Sequence, residues 1–190
     1  MAAERQALND ETDEALIELV TDGDRGAFAE LAKRHSKRYY RVAYRMVFNK
    51  NDAEDIAQEA FLKLWDKPYL WERNKHSKFS TWFYRVVVNL CIDRNRKKRP
   101  FLLKNGIEIV DNKASTVDSL DAQQKKQILK KLILGLPERQ QVALNLCYYE
   151  GISNKEAADI MGVGLKALQS LLIRGKNTLR EKTKQYCERG

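Results

Sequence analysis

Apolar residues recur at intervals of three and four along most of this chain, the period of helices that bury a single face. Between residues 13 and 99 the pattern resolves into four helices with few breakers. The first spans 13–21, and the second spans 25–48 with Phe28, Leu31, Ala32, Tyr39, Val42, Ala43 and Met46 on its stripe. The third covers 51–66, with Asp52 as its N-cap and Pro68 as its end. Ser80 caps the fourth, which reaches 98 and is stopped by Pro100. Residues 101–122 then lose the period and carry Asn105, Gly106, Asn112 and Ser115, a linker composition. Helical spacing returns over 123–185, and no segment favours a long β ladder. The expected fold is all-α. A flexible N-terminus over 1–13 precedes small helical domains at 14–100 and 123–190, and a flexible linker over 101–122 leaves their relative placement open.

The C-terminal half holds the most specific pattern. Leu136-Pro137-Glu138-Arg139-Gln140 leads toward Ser153-Asn154-Lys155-Glu156, a capping box that opens a helix. Ala157, Ala158 and Met161 face inward on it, and Gly162-Val163-Gly164 turns the chain into a second amphipathic helix anchored by Leu168 and Leu171. Ala158 allows a close helix crossing and Gly162 the tight turn. This is helix-turn-helix spacing, and it leaves Lys166, Gln169, Ser170, Arg174 and Lys176 free to enter a major groove. A plain helical hairpin also carries Ala, Gly and Leu at such places; the basic tail of Lys176, Arg180, Lys182 and Lys184 favours the DNA reading.

Charge sharpens the picture. A net charge of +9 and a pI near 9.4 suit a polyanionic partner, because Lys and Arg that neutralise phosphates supply most non-specific nucleic-acid affinity. Cys91, Cys147 and Cys187 lack paired spacing, and His35 and His76 stand far from them, so neither a disulfide framework nor a zinc site is indicated. No metal or cofactor is expected. The N-terminal stretch is polar and acidic without a signal-peptide pattern, and no apolar run approaches the roughly 18 residues of a membrane span. A reducing cytoplasm and no membrane insertion follow as expectations.

Two segments of the N-terminal half carry candidate chemistry. The helix over 51–66 buries Ile56, Ala57, Ala60, Phe61 and Leu64 and displays Asp52, Asp55, Gln58, Glu59 and Lys63. That acidic face is either simply solvated or a docking surface for a basic partner helix, where complementarity sets register and on-rate. A metal site built from Asp52, Asp55 and Glu59 lacks a histidine or second acidic cluster. The helix over 80–98 buries Phe79, Trp82, Phe83, Val86, Val87 and Leu90, and shows Tyr84, Arg85, Asn89, Asp93 and Arg96 on its other side. It ends in Arg94-Asn95-Arg96-Lys97-Lys98-Arg99. Such a run complements the helix dipole, but its density beside Tyr84 and Asn89 fits a nucleic-acid backbone and bases better. With the loop Tyr69 to Lys78, which includes Trp71, Asn74 and Lys75, the helix offers what a single-strand binder needs to hold an unstacked base. Tyr84 and Trp71 are the expected stacking residues, and Trp82 and Phe83 belong to the core.

Three motifs in this order, Asp52-Ala53-Glu54-Asp55-Ile56-Ala57-Gln58-Glu59-Ala60-Phe61-Leu62-Lys63-Leu64-Trp65, then Phe79 through Leu90, then Leu136 through the helix-turn-helix, resemble the extracytoplasmic-function (ECF) group of bacterial sigma factors. The resemblance implies a region-2-like bundle and a region-4-like helix-turn-helix. It assigns Asp52, Asp55, Gln58, Glu59 and Leu62 to the β′ clamp helices of core RNA polymerase. Asn74, Lys75, Tyr84, Arg85, Asn89 and Arg96 go to the melted promoter −10 element, and Lys166, Gln169, Ser170, Arg174 and Lys176 to the duplex −35 element. The second domain also meets the polymerase β flap, and an anti-sigma factor is a further expected partner. Leu171 stands where many members have arginine, and Gly164 where many have a Ser or Thr cap. Leu171 either removes a groove-facing cation or completes the packing face.

Two rivals remain at this point. A helix-turn-helix repressor or activator requires a dimer and a palindromic operator, but gives no reason for an acidic docking helix beside an aromatic, basic strand surface. A nuclease using Asp52, Asp55 and Glu59 lacks a second carboxylate set and a placed general base. The expectation is therefore a promoter-specificity subunit without catalysis of its own.

Overall fold

The computed structural model describes residues 8–71, 78–105 and 120–188. After a helical turn at residues 8–10, the elements are α1 (Asp13–Thr21), α2 (Arg25–Val47), α3 (Lys50–Asp66), a 3-10 turn (Pro68–Leu70) and α4 (Phe79–Asn105). Then come α5 (Leu120–Leu134), α6 (Glu138–Leu144), a π-helical turn (Asn145–Tyr149), α7 (Asn154–Met161) and α8 (Leu165–Cys187). No strand occurs among the described residues.

Local chemistry sets the helix starts. Thr12 accepts from the Ala15 N–H at 3.2 Å, Asp24 from Gly26 and Ala27 at 2.7 and 3.0 Å, and Ser153 from Glu156 at 3.2 Å. The cap of α3 is Asn49, whose side chain accepts from the Asp52 N–H at 3.0 Å; Asp52, expected as the cap, lies inside the first turn. Pro100 does not stop α4, which continues to Asn105 and shortens the expected linker from its N-terminal side. A helical proline forfeits one backbone bond and crowds the preceding turn, but neither effect forbids the helix from continuing. The linker expectation otherwise concerns residues 106–119, outside those described.

In the N-terminal unit α2 packs against α1, α3 and α4. Its centre is aromatic: the Tyr39 ring lies 4.6 Å from Phe83 and 5.1 Å from Tyr84, both edge-on, and Phe79 stacks on Phe83 at 5.4 Å. The C-terminal unit is built on α8, which packs on α6, α7 and α5. Between α7 and α8 the chain turns at Gly162, whose φ of 62° lies in the left-handed region, and the Val163 N–H closes onto the Ala158 carbonyl at 3.0 Å. Leu168 and Leu172 are buried beneath α8, and Leu171 is half-buried against the same core, so Leu171 completes the packing face.

The two units pack on each other, α7 lying across α4 and the π turn against α2. At the seam the Met46 carbonyl, near the end of α2, accepts from Asn95 at 3.0 Å and from buried Gln141 of α6 at 3.2 Å.

At Gly175 α8 passes close to α6. A Cβ there would stand 3.0 Å from Leu144 Cδ1 and 3.4 Å from Gln140 Cβ. Gly175→Leu is expected to force α8 off α6 and cost about 1–3 kcal/mol, the usual range for overpacking. Thermal unfolding followed by circular dichroism checks this; an unchanged midpoint would mean the crossing is looser than described.

Candidate nucleic-acid interface

The acidic face of α3 divides into a structural part and a free part. Asp52 is only 6% exposed, paired with Arg94 at 2.8 Å and with Lys98, both from α4. It therefore fastens α3 to α4 and is not displayed as the amphipathic pattern suggested, because the basic end of α4 lies over it. Asp55, Gln58, Glu59 and Leu62 are exposed, Leu62 at 59%. Asp55 makes only a 3.4 Å contact to Arg94, and Glu59 pairs with Lys63 along the helix at 3.2 Å. The result is a contiguous acidic face with one apolar side chain in it.

On α4, Arg85, Asn89 and Arg96 are exposed as expected, but Tyr84 is not, at 1% exposure. The helix is covered on two sides, by α2 and α3 and by α7, so its buried arc extends to Tyr84, Val88 and Cys91. Tyr84 sits beneath the Arg38 guanidinium, 5.3 Å from its ring centroid, and its hydroxyl faces Glu150 at 3.5 Å. Burial pushes the Tyr84 phenol up to about 12 against the opposing pull of Arg38. Trp71 is likewise buried, so neither expected stacking residue presents a free ring. Asn74 and Lys75 lie outside the described residues.

Two of the exposed cations are engaged by the C-terminal unit. Arg85 Nε donates to the Asp159 carbonyl at 2.9 Å and its Nη2 donates to the same oxygen. Arg96 makes a forked pair with both oxygens of Glu138 at 2.9 and 3.0 Å. Nearby, Arg45 of α2 pairs with Glu150. The composition pattern showed the cations but not these partners, which lie more than 40 residues away.

On α8, Lys166, Gln169 and Arg174 are exposed and Ser170 is half-buried, one polar face running from the helix start. Lys176 lies at the edge of that face, its ammonium 4.5 Å from the Tyr148 ring centroid. Gly164 stands in open space before α8 and supplies no side-chain cap. Beside Lys176, an apolar groove of about 220 Å³ is lined by Leu129, Ile133, Leu144, Tyr148, Tyr149 and Leu179.

The chain matches the Sigma-70 region 2 family over residues 31–101 and the Sigma-70 region 4 family over 126–179. It is 31% identical over 176 residues to the ECF RNA polymerase sigma factor SigW of Bacillus subtilis, covering 87% of this chain and 93% of that protein. The chain belongs to the ECF RNA polymerase sigma factors. A more distant sigma factor, the ECF sigma-E factor of Escherichia coli, is 27% identical, with 94% of this chain and 97% of that one covered. Among solved structures, the sigma factor RpoE of Bartonella quintana in complex with the anti-sigma factor NepR superposes with a TM-score of 0.64 at 25% identity, covering 83% of this chain and 96% of that one. CnrH in complex with the cytosolic domain of CnrY shares the fold, with a TM-score of 0.68 at 18% identity over 92% and 99% of the two chains. The ECF sigma factor described here is thus an alternative sigma factor of RNA polymerase rather than a free-standing repressor, in a family of transcription regulators. No helix among its described residues is long and apolar enough to cross a membrane.

The split of the acidic face makes a prediction. Asp52→Ala leaves Lys98 without this carboxylate and Arg94 with only its longer contact to Asp55, and is expected to lower stability by about 2–3 kcal/mol, less than the roughly 3–5 kcal/mol of a fully buried pair because both cations are partly exposed. Asp55→Ala should change it by less than about 0.5 kcal/mol, as surface substitutions do. Urea unfolding of the two variants decides; equal small effects would return Asp52 to the displayed face.

Proposed function

We propose that this sigma factor divides promoter recognition between its two units. Residues 14–100 act as the region 2 domain and 123–190 as the region 4 domain, working with polymerase in the cytoplasm. Asp55, Gln58, Glu59 and Leu62 dock on the β′ clamp helices. Asp52 supports that surface from within, through its hold on α4. Arg85, Asn89 and Arg96, with Asn74 and Lys75, hold the non-template strand of the melted −10 element. Tyr84 fixes the helix that carries them instead of stacking on a base.

Lys166, Gln169, Ser170 and Arg174 enter the major groove of the −35 element, with Lys176 at their edge on the phosphates. The groove beside Tyr148 and Tyr149 receives the β flap. An anti-sigma factor is expected to restrain the free chain, as NepR binds RpoE in the Bartonella quintana complex. The chain contributes no catalytic group and needs no cofactor; the polymerase performs the chemistry. Melting follows from differential affinity, since a surface that binds only the separated strand shifts the duplex toward opening.

The observation that carries this reading is the identity to an ECF sigma factor along 87% of the chain, with an exposed acidic face on α3 and an exposed cationic face on α4 in one rigid bundle. Run-off transcription with purified core polymerase and genomic fragments is the test. Discrete starts should require this chain, and Asp55→Ala should weaken them roughly tenfold, the loss of about 1.4 kcal/mol of docking energy. Duplex binding without polymerase-dependent starts would instead favour a repressor or activator.

A further inference from the structure

The outward face of α8 carries two apolar side chains among its polar ones. Leu165, in the first turn, is 45% exposed, and Ile173, about two turns further on, is 60% exposed. Each stands four residues from exposed Gln169, so Leu165, Gln169 and Ile173 form one row along the helix. Beside it runs a second row of Lys166, Ser170 and Arg174, which carries two cations. The core does not account for the first row, because α8 packs inward through Leu168 and Leu172, with Leu171 and Leu179 half-buried against the same residues. A single exposed leucine is common on any surface and carries no message. Here two apolar side chains flank an amide on the one helix face that a helix-turn-helix turns toward base edges.

Among the base edges of a major groove, thymine alone carries a methyl group. A phosphate, a guanine edge or a cytosine amino group offers Leu165 and Ile173 no partner, and losing water against them costs such a polar group free energy. We propose that Leu165 and Ile173 read thymine methyl groups in the −35 duplex, with Gln169 on the base edges between them, so that this sigma factor selects thymine at two positions. The inference rests on the reading of α8 as the −35 recognition helix and adds which base that helix prefers. The row is about 12 Å long and base pairs stack about 3.4 Å apart, which sets the two thymines roughly three to four base pairs from each other. Lys166 and Arg174 supply the attraction to DNA. The methyl contacts supply discrimination, the usual division between positioning and specifying groups.

The test uses holoenzyme assembled from core polymerase and the full chain on a promoter mapped by run-off transcription, with binding followed by mobility shift. Each −35 thymine is replaced in turn by deoxyuridine, which lacks the methyl and keeps every hydrogen-bonding group. Two of these replacements should each weaken wild-type binding roughly threefold to fivefold, the effect of one buried methyl, and deoxyuridine in the spacer should change nothing. Leu165→Ala should bind the thymine promoter more weakly and lose the response at one of the two positions, and Ile173→Ala should lose it at the other. Both side chains are exposed, so the variants keep their fold. A methyl also alters the shape and stiffness of the duplex, and the variants separate the two causes. A uracil penalty of unchanged size in both variants overturns the contacts, as does no penalty in wild type or a −35 element without thymine. Lys166→Ala with Arg174→Ala separates the claim from the reading beneath it. A holoenzyme that needs those cations but ignores the methyls sinks the methyl contacts alone, whereas one that loses nothing without the cations sinks α8 as the −35 helix and the inference with it.

Discussion

Everything in this molecule depends on the burial of α4 on more than one side. A helix covered from one direction has a single apolar stripe, but α4 is covered by α2 and α3 and again by α7. Its aromatic residues meet Tyr39 in an edge-on cluster with ring separations near 5 Å, an arrangement that fixes both the rotation and the height of the helix. What remains outside is a polar row with Arg85, Asn89 and Arg96 at positions set by the core beneath, the two guanidiniums meeting the Asp159 carbonyl and the Glu138 carboxylate.

Electrostatics then decides what each charged group does. The chain is strongly basic, and several of its acids meet bases from another element. Asp52 joins α3 to α4, Asp13 meets both Arg34 and His35 of α2, and Glu138 and Glu150 reach across to the N-terminal unit. The His35 hydrogen bond holds the Asp13 carboxyl below its usual range. A depressed carboxylate adds stability above its unfolded value and loses it as pH falls through the folded one, so the contribution of Asp13 is lost in acid. The exposed acids of α3 make weaker ties, Asp55 a 3.4 Å contact to Arg94 and Glu59 a pair with Lys63 along its own helix.

Much of this was legible in the residues. The period of three and four placed α1 with the bounds observed and α2 and α3 to within one residue at each end. The capping box at Ser153 and the glycine at 162 located the helix-turn-helix, because both are local and each has one strong physical reading. Asn49 and Asp52 both suit an N-cap; the earlier one holds the role because its backbone is still extended, with φ of −131°. An amphipathic pattern knows one buried face and so places Tyr84 and Asp52 outside; their covering elements come from elsewhere in the chain. The same limit hid Glu138, Glu150 and Asp159, whose partners are distant in sequence. Gly175 gave no signal, since a glycine inside a helical pattern looks like a mere weak point until the neighbouring helix is in place.

The central claim is that the polar row of α4, not its aromatic residues, holds the opened strand. Permanganate reactivity of non-template thymines in polymerase complexes on a mapped promoter measures this directly. Arg85→Ala with Asn89→Ala should abolish the reactivity while promoter binding before melting persists, and Tyr84→Phe, which keeps the ring in the core, should leave it intact. Reactivity that survives the first pair, or disappears with Tyr84→Phe in a folded protein, would contradict the account.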